Sequence, residues 1–466
     1  MKSRFRNPKD PLRKIIGRKK PVLVVGLGQS GTAAANLLAD LGCNVVVSEM
    51  LTEAEAGQNL NGLNPDVNVH WGGHPAALFM KFPLIVLSPG VPVETEAVQS
   101  ALRKGVRVIG EMELAFRLSL LPWVAITGSN GKSTTTTLVG KFAEKAGLAV
   151  RVGGNLGIPS AELVRGEKGA SFIVAEVSSF QLETIETFKP AIGVMLNISP
   201  DHLDRYKSEG DYIKSKAAIF SNMDESDVAV VNQVDPEVRK MIDRITAQIF
   251  SFRRKALSGD GVVLDGDWIM IREGDTSHRV LEAGKVAMAG THNLENALAA
   301  VAVGHKMGIS PQSMADVLKT FRGLPHRMEL VDYYRGIPIY NDSKGTNVGA
   351  TLRSLESIRG RAILIMGGKD KGAPYAPMRR IVQQKVALLI LIGEATQKMY
   401  EALGNSVETV VSTSLDEAVR TALNRARPGD EILFSPACSS FDMFSSFEER
   451  GEVFKKLVHR YMGIAG

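Results

Sequence analysis

The chain has 466 residues, of which 44% are hydrophobic and 23% charged, with a formal net charge of +6. That length suggests two or three domains, and the balance excludes disordered, fibrous and membrane-embedded classes; no run of about 18 apolar residues is present to span a bilayer. Only two cysteines occur, Cys43 and Cys438, far apart and without metal-type spacing, which argues against a disulfide framework or zinc site and suits a reducing cytoplasm.

The positive charge is concentrated at the start. Residues 1–20 hold nine Lys/Arg and one acid, Asp10, so the rest of the chain is slightly acidic and is not a basic nucleic-acid binder. The charge run reads as a solvated, disordered extension, and it lacks the apolar stretch of a secretory signal. From residue 21 onward, short β-branched runs alternate with helical patterns. That rhythm predicts an α/β protein of parallel sheets with crossover helices. A first unit, 21–113, has strands at 22–25, 45–48, 84–88 and 106–109. A second, 114–323, has strands at 124–127, 172–176, 192–197 and 228–232. It also carries a hairpin near 261–271, turning at Asp265-Gly266, and a helix at 292–307. A third, 324–466, has strands at 337–341, 362–366, 387–392, 409–411 and 431–435.

In open α/β sheets, ligands gather beyond the carboxyl ends of strands. Glycine-rich or polar segments fall at such ends throughout the three units, at 26–31, 88–90, 128–134, 176–179, 197–204, 342–346, 367–371 and 435–442. Their recurrence suggests one large cleft shared by several ligands.

The first of these segments, GLGQSG at 26–31, supplies Gly28, Gln29, Ser30 and Gly31 at a strand-to-helix turn, with Glu49 near the next strand end. Alone it reads as a dinucleotide fingerprint, so a nicotinamide-dependent oxidoreductase is one alternative. A nucleotide-diphosphate sugar would use the same turn. The segment VAITGSNGKST at 124–134 is the stronger signal. Backbone N–H groups of Gly128, Ser129, Asn130 and Gly131 and the helix N-terminus beginning Ser133, Thr134, Thr135 would cradle phosphates. Lys132 would reach the terminal phosphates, and Ser133 would ligate magnesium. Ile126 stands where the full pattern has glycine, so this is a shorter variant loop. Glu176 ends an apolar run, where a carboxylate needs a partner such as magnesium or a salt bridge. His202, flanked by Asp201 and Asp204, suits a metal or a substrate. A separate ATP loop makes a UDP-linked substrate the better reading of the first turn. A nucleotide-binding regulatory protein without catalysis remains a further alternative.

These segments together resemble the Mur ligase family, and within it the D-glutamate-adding branch, over about 21–462. Further motifs carry the resemblance: GNLG at 154–157, EVSSFQLE at 176–183, HNLEN at 292–296, GLPHRME at 323–329, NDSKGTN at 341–347 and SPACSSFD at 435–442. The resemblance implies a Rossmann-like N-terminal domain, a central P-loop-type ATPase domain with a mostly parallel sheet, and a Rossmann-like C-terminal domain. It implies an ATP-dependent ligase of peptidoglycan precursor synthesis, cytoplasmic and monomeric. Its substrates would be UDP-N-acetylmuramoyl-L-alanine and D-glutamate, joined through an acyl phosphate with two magnesium ions. Related ligases taking another amino acid, among them the L-alanine and diamino-acid ligases and folylpolyglutamate synthetase-type enzymes, keep the same chemistry. By the same resemblance, Gly28, Gln29, Ser30, Gly31, Glu49, Ser88, Pro89, Gly90, Asn155 and His202 face the UDP-linked substrate. Asn296, Arg327 and Asp342 hold ATP. Lys344, Thr346, Lys371, Ser440 and Phe441 hold D-glutamate. Lys216 corresponds to a lysine carbamylated by CO2 that supports a second magnesium, although its sequence context reads as a helix-surface lysine. The chain departs from the family at Ser48-Glu49, where an aspartate is usual, and at Lys369, where some members carry an acid.

Overall fold

The computed structural model describes residues 6–17, 19–56, 62–201, 205–206, 208–254, 259–288, 290–372 and 374–463. Three sheets follow one another along the chain. The first contains β1 (Pro21–Val25), β2 (Asn44–Ser48), β3 (Asn68–His70), β4 (Leu84–Leu87) and β5 (Arg107–Gly110), all parallel, in the order β3-β2-β1-β4-β5. The order reverses between β1 and β4. The turn after β1 and the 88–90 segment after β4 therefore meet at a topological switch point, where such sheets bind ligands.

The second sheet holds β6 (Trp123–Thr127), β7 (Val150–Gly154), β8 (Phe172–Glu176), β9 (Ile192–Met195), β10 (Val228–Asn232), β11 (Gln248–Arg253), β12 (Gly261–Asp265), β13 (Trp268–Glu273) and β14 (Thr276–Glu282). Its order is β14-β13-β12-β11-β10-β9-β6-β8-β7, with only β12–β13 and β13–β14 antiparallel. Every residue of β6 is buried, as expected for a central strand covered by helices on both faces. The switch point lies at β6, so its loop opens between the ends of β8 and β9. The third sheet, β15 (Glu329–Tyr334), β16 (Ile337–Asn341), β17 (Arg361–Gly367), β18 (Val386–Ile392), β19 (Thr409–Val411) and β20 (Asp430–Phe434), runs β15-β16-β20-β17-β18-β19. It is parallel except for the edge strand β15.

The cores are shared unequally. One apolar cluster joins first-sheet residues such as Val22, Val24 and Val47 to Trp123, Ala125 and Ile173 of the second. Helix Glu111–Leu118 lies at that junction and is buried along its whole length, so the expected division at 113/114 falls inside an element that serves both sheets. The third sheet packs into two clusters of its own, which contain no buried residue from before Ile337. The chain crosses into it through a linker in which His326 (φ 61°) and Met328 (φ 44°) take left-handed backbone.

The start of the chain corrects one expectation. Residues 6–17 are not a solvated extension. Leu12 is fully buried and Ile16 nearly so, within the cluster shared by the first two sheets. Asp10 caps the short helix Pro11–Lys14 and accepts from Arg117 Nη1 at 3.2 Å. Arg6 donates its backbone N–H to Arg117 O at 2.9 Å and lies over the Phe116 ring. Lys9, Arg13 and Lys14 are exposed while Arg6, Asp10, Leu12 and Ile16 face in, a partition that net charge along the chain does not reveal.

Candidate active site

The phosphate-type loop leaves β6 and enters helix Lys132–Lys145 with Gly131 as N-cap, at φ 86°. A side chain there would collide with Asn296 Oδ1, which a Cβ would meet at 2.1 Å. Glycine is thus required both by the left-handed turn and by the approach of the 291–306 helix. The loop is held by the segment after β9. Ser129 N donates to Asn197 O at 2.9 Å, and Asn130 N to Asn197 Oδ1 at 2.9 Å. Ser129 Oγ also contacts the Tyr212 hydroxyl at 2.8 Å. Lys132 Nζ folds back onto Gly128 O (2.8 Å) and Ser129 O (3.0 Å). Burial lowers its pKa, against the opposing pull of Glu176 and Asp201.

Glu176, at the end of β8, is 3% exposed. Its Oε1 accepts from Asn155 Nδ2 at 2.9 Å, while Oε2 is buried with no hydrogen-bond partner. Burial alone would raise its pKa, but Lys132 and the Asn155 hydrogen bond outweigh this and keep it below the usual carboxylate range. An orphaned carboxylate oxygen beside the Ser133 hydroxyl fits a hard divalent cation such as magnesium. No group of three or more His, Cys, Asp or Glu is gathered among the described residues.

Lys216 is a second departure from expectation. It is 2% exposed, not on a helix surface, and it donates to Gly128 O at 2.9 Å from beneath the loop. Burial, reinforced by the charge of Lys132, drives its pKa well below the ordinary lysine value.

The opposite wall comes from the third sheet. A cleft of about 340 Å³ is lined on one side by Ser129, Asn130, Gly131, Lys132, Ser133, Thr134, Asn155, Glu176 and Asn296, and on the other by Asp342, Lys344, Thr346 and Lys371, with Arg327 from the linker. Arg327 Nη2 donates to Ser133 Oγ at 3.1 Å, spanning the seam. Asp342 Oδ2 accepts from Ser354 and Ser435, each at 2.7 Å, and burial pushes its carboxyl up to about 6. Burial, then the nearby Arg327 charge, lowers Lys344 to about 8. Lys371 Nζ lies 3.5 Å from Thr346 Oγ1 and 3.9 Å from Asp201 Oδ1.

The remaining residues lie elsewhere. Gly128 and Thr135 are buried behind the loop rather than along the cleft. Ser440 is 2% exposed and does not line the cleft, and Phe441 is 67% exposed. The aromatic ring that does line it is Phe447, with Lys344 Nζ 4.6 Å from its centroid. Asp201, His292, Asn293, Asn347 and Arg353 also line it; the HNLEN and NDSKGTN motifs contain three of them. His202 lies outside the described residues. In the first domain, Gly28, Gln29 and Ser30 open helix Gln29–Asp40 at the switch point, and Gly31 passes so close to Gly26 O that no side chain fits. Glu49 accepts from Leu27 N at 2.5 Å, so this carboxylate braces the turn. Ser88 Oγ donates to Gly26 O at 3.1 Å. Gly90 is exposed beside it, and Arg205 Nη1 reaches Pro89 O at 3.2 Å, linking this corner to the loop after β9.

A nucleotide-type loop on a middle sheet, faced by a cationic third domain and flanked by a Rossmann-like first domain, is the design of Mur ligases. Residues 20–110 match the Mur ligase MurD-like N-terminal domain, residues 126–304 the Mur ligase middle domain and residues 326–438 the Mur ligase glutamate ligase domain. The chain belongs to the Mur ligase family. Within it, the chain is 42% identical over 443 residues to the UDP-N-acetylmuramoylalanine–D-glutamate ligase of Geobacter sp. (strain M21), covering 95% of this chain and 98% of that relative. It is 41% identical over 443 residues to the ligase of the same name from Pelotomaculum thermopropionicum, covering 94% and 97%. Solved structures share the fold at lower identity. MurF from Acinetobacter baumannii aligns with a TM-score of 0.62 at 17% identity, covering 96% of this chain and 97% of that one. UDP-N-acetylmuramate-alanine ligase MurC from Thermotoga maritima aligns at 0.59 and 18%, covering 95% and 99%. The oxidoreductase alternative raised by the first glycine turn is set aside by these matches. No described helix is long and apolar enough to cross a membrane.

Proposed function

We propose that this chain is an ATP-dependent ligase that adds D-glutamate to UDP-N-acetylmuramoyl-L-alanine in peptidoglycan precursor synthesis, acting in the cytoplasm as a monomer. The observation that carries the reading is a single cleft with a phosphate-binding loop on one wall and the cations Lys344 and Lys371 on the other. ATP would lie along 128–135, with Asn296, Arg327 and Asp342 toward its adenine, phosphates and ribose. The UDP-linked substrate would lie at the first-domain switch point, against Gly28 to Gly31, Glu49 and Ser88 to Gly90, and extend past Asn155 and His202. Its alanyl carboxylate attacks the γ-phosphate, giving an acyl phosphate and ADP. The amine of D-glutamate then attacks the activated carbonyl, and the tetrahedral species collapses to an amide and phosphate. Lys132 would unfold from Gly128 O onto the transferring phosphoryl group and offset its charge; positioning and charge account for most of catalysis in such transfers. Lys344, Thr346 and Lys371 would hold the dicarboxylate of the amino acid, with Ser440 contributing from the 435–442 loop and the Phe447 ring from the cleft wall. Two magnesium ions, held by Ser133, Glu176, His202 and Lys216 as a carbamate, would neutralise charge on the phosphates. A neutral amine is the form that adds to CO2, which supports the Lys216 assignment.

Purified protein is assayed for phosphate release with ATP, UDP-N-acetylmuramoyl-L-alanine and each of D-glutamate, L-glutamate, L-alanine and a diamino acid. Release dependent on D-glutamate, with a matching amide product, is expected. Release dependent on another acceptor, or nucleotide binding without any amide, overturns the reading.

A further inference from the structure

We propose that the Tyr375 hydroxyl is a positioning group for the amino-acid pocket, tying the loop that carries Lys371 to the loop that carries Ser440. The inference rests on the assignment of those two residues to the D-glutamate site. Tyr375 is 2% exposed and does not line the cleft, so its ring serves the core while its hydroxyl serves the loops. That oxygen lies 2.8 Å from Asp370 Oδ1 and 3.1 Å from Cys438 Sγ. A phenol has one proton to give, and an ionised carboxylate only accepts. The order of donation is therefore Cys438 S–H to the phenol oxygen, and phenol O–H to Asp370.

Both ends of this relay are kept in the state it needs. Burial pushes the Cys438 thiol up to about 11, so it stays protonated and is a donor rather than a nucleophile. Partial burial of Asp370 is outweighed by Lys398, whose Nζ lies 2.6 Å from Oδ2, and by the Tyr375 bond, so its carboxyl stays ionised. Asp370 Oδ1 also accepts from Gly372 N at 3.1 Å, closing the turn around Lys371. Above the relay the two loops pair directly, with Lys369 N on Ser439 O at 3.0 Å and Ser439 N on Lys369 O at 3.2 Å. The buried guanidinium of Arg450 holds the same strip, reaching Ser439 O at 3.0 Å and Cys438 O at 3.1 Å. Lys371 has a long flexible side chain, so its reach into the cleft depends on where this turn places its backbone. Removing the hydroxyl leaves a buried thiol and a carboxylate each short of a partner, close to Lys371 and Ser440.

Tyr375→Phe keeps the ring and therefore the packing. The KM for D-glutamate is expected to rise about tenfold, the equivalent of about 1.4 kcal/mol, while kcat and the KM values for ATP and the UDP-linked substrate stay unchanged. Cys438→Ser, which retains an O–H donor, is expected to show a lower D-glutamate KM than Cys438→Ala. Lys371→Ala is run alongside and is expected to raise the D-glutamate KM further. If Lys371→Ala raises it and Tyr375→Phe does not, the positioning role is overturned while the pocket stands. If Tyr375→Phe raises all three KM values together, the hydroxyl acts on general stability and the proposal falls. If Lys371→Ala leaves the D-glutamate KM unchanged, the pocket assignment and the proposal fall together.

Discussion

Leu12→Ala removes a side chain that is fully buried in the cluster shared by the first and central sheets. Truncating a buried leucine costs about 2–5 kcal/mol, the spread reflecting how far the site collapses afterwards. Leu12 sits in a short segment near the chain start, which relaxes more readily than a central strand, so the lower part of that range applies, about 2–3 kcal/mol. For a large cooperative unit each kcal/mol lowers the melting temperature by roughly 2 °C, giving a drop of about 5 °C. Differential scanning calorimetry without ligands measures it. The transition of the first and central sheets is expected to fall, while that of the third sheet, whose clusters contain no residue of this segment, stays in place. An unshifted thermogram, or equal tolerance of Leu12→Asp, would mean that residues 6–17 are solvated after all and refute the packing argument.

Three further outcomes follow from the site and the cores. Glu111 is 1% exposed, and burial pushes its carboxyl from 4.5 up to about 7. The folded state thus holds a proton that the unfolded chain releases earlier. Its contribution is complete below about 4.5 and is lost as pH rises toward about 7, on the order of 3 kcal/mol in all. Urea midpoints should show Glu111→Gln gaining on the parent by about that much between pH 4.5 and 8; a pH-independent difference would contradict this. Lys132→Ala should abolish amide formation while the melting temperature holds, and retained ligation would remove the phosphate assignment. Phe447→Ala should raise the D-glutamate KM several-fold, since a ring under an ammonium contributes about 1–2 kcal/mol when partly desolvated, whereas Phe441→Ala, at a 67% exposed position, should leave it in place. The reverse ranking would restore Phe441 to the pocket.

Strands 172–176 and 228–232 were legible because nothing interrupts their buried apolar run, and they coincide with β8 and β10; 337–341 and 409–411 also coincide with β16 and β19, although β16 is buried only at alternate residues and β19 is a partly exposed edge strand. The strands that escaped notice carry weaker signals. β3 is three residues long, β14 exposes its first four, and β15 is a half-exposed edge. β7 ends in two glycines, and β11 is broken by Gln248, Ser251 and Arg253 despite its interior place in the sheet. The phosphate-type loop was legible because its chemistry is local to ten residues. Lys216 was not, since its burial comes from the loop folding over a helix that by itself looks amphipathic. Phe447 was missed for the same reason: which of several aromatics after β20 turns inward depends on where helix Phe447–Tyr461 begins, and Ser446 sets that by capping it. Residues 6–17 were misread because their basic side chains mask Leu12 and Ile16.

The seam between the central and third sheets carries polar contacts, Asn347 Nδ2 on Asp201 Oδ2 at 2.9 Å, His292 Nδ1 with Ser357 Oγ at 3.1 Å, and Arg327 on Ser133. Hydrogen bonds of this kind exchange with water at a modest net cost, about 0.5–1.5 kcal/mol each. The third sheet, with apolar clusters of its own, is therefore coupled to the central sheet through a few directional polar contacts, and Arg327, at the point where the chain crosses, is one of them.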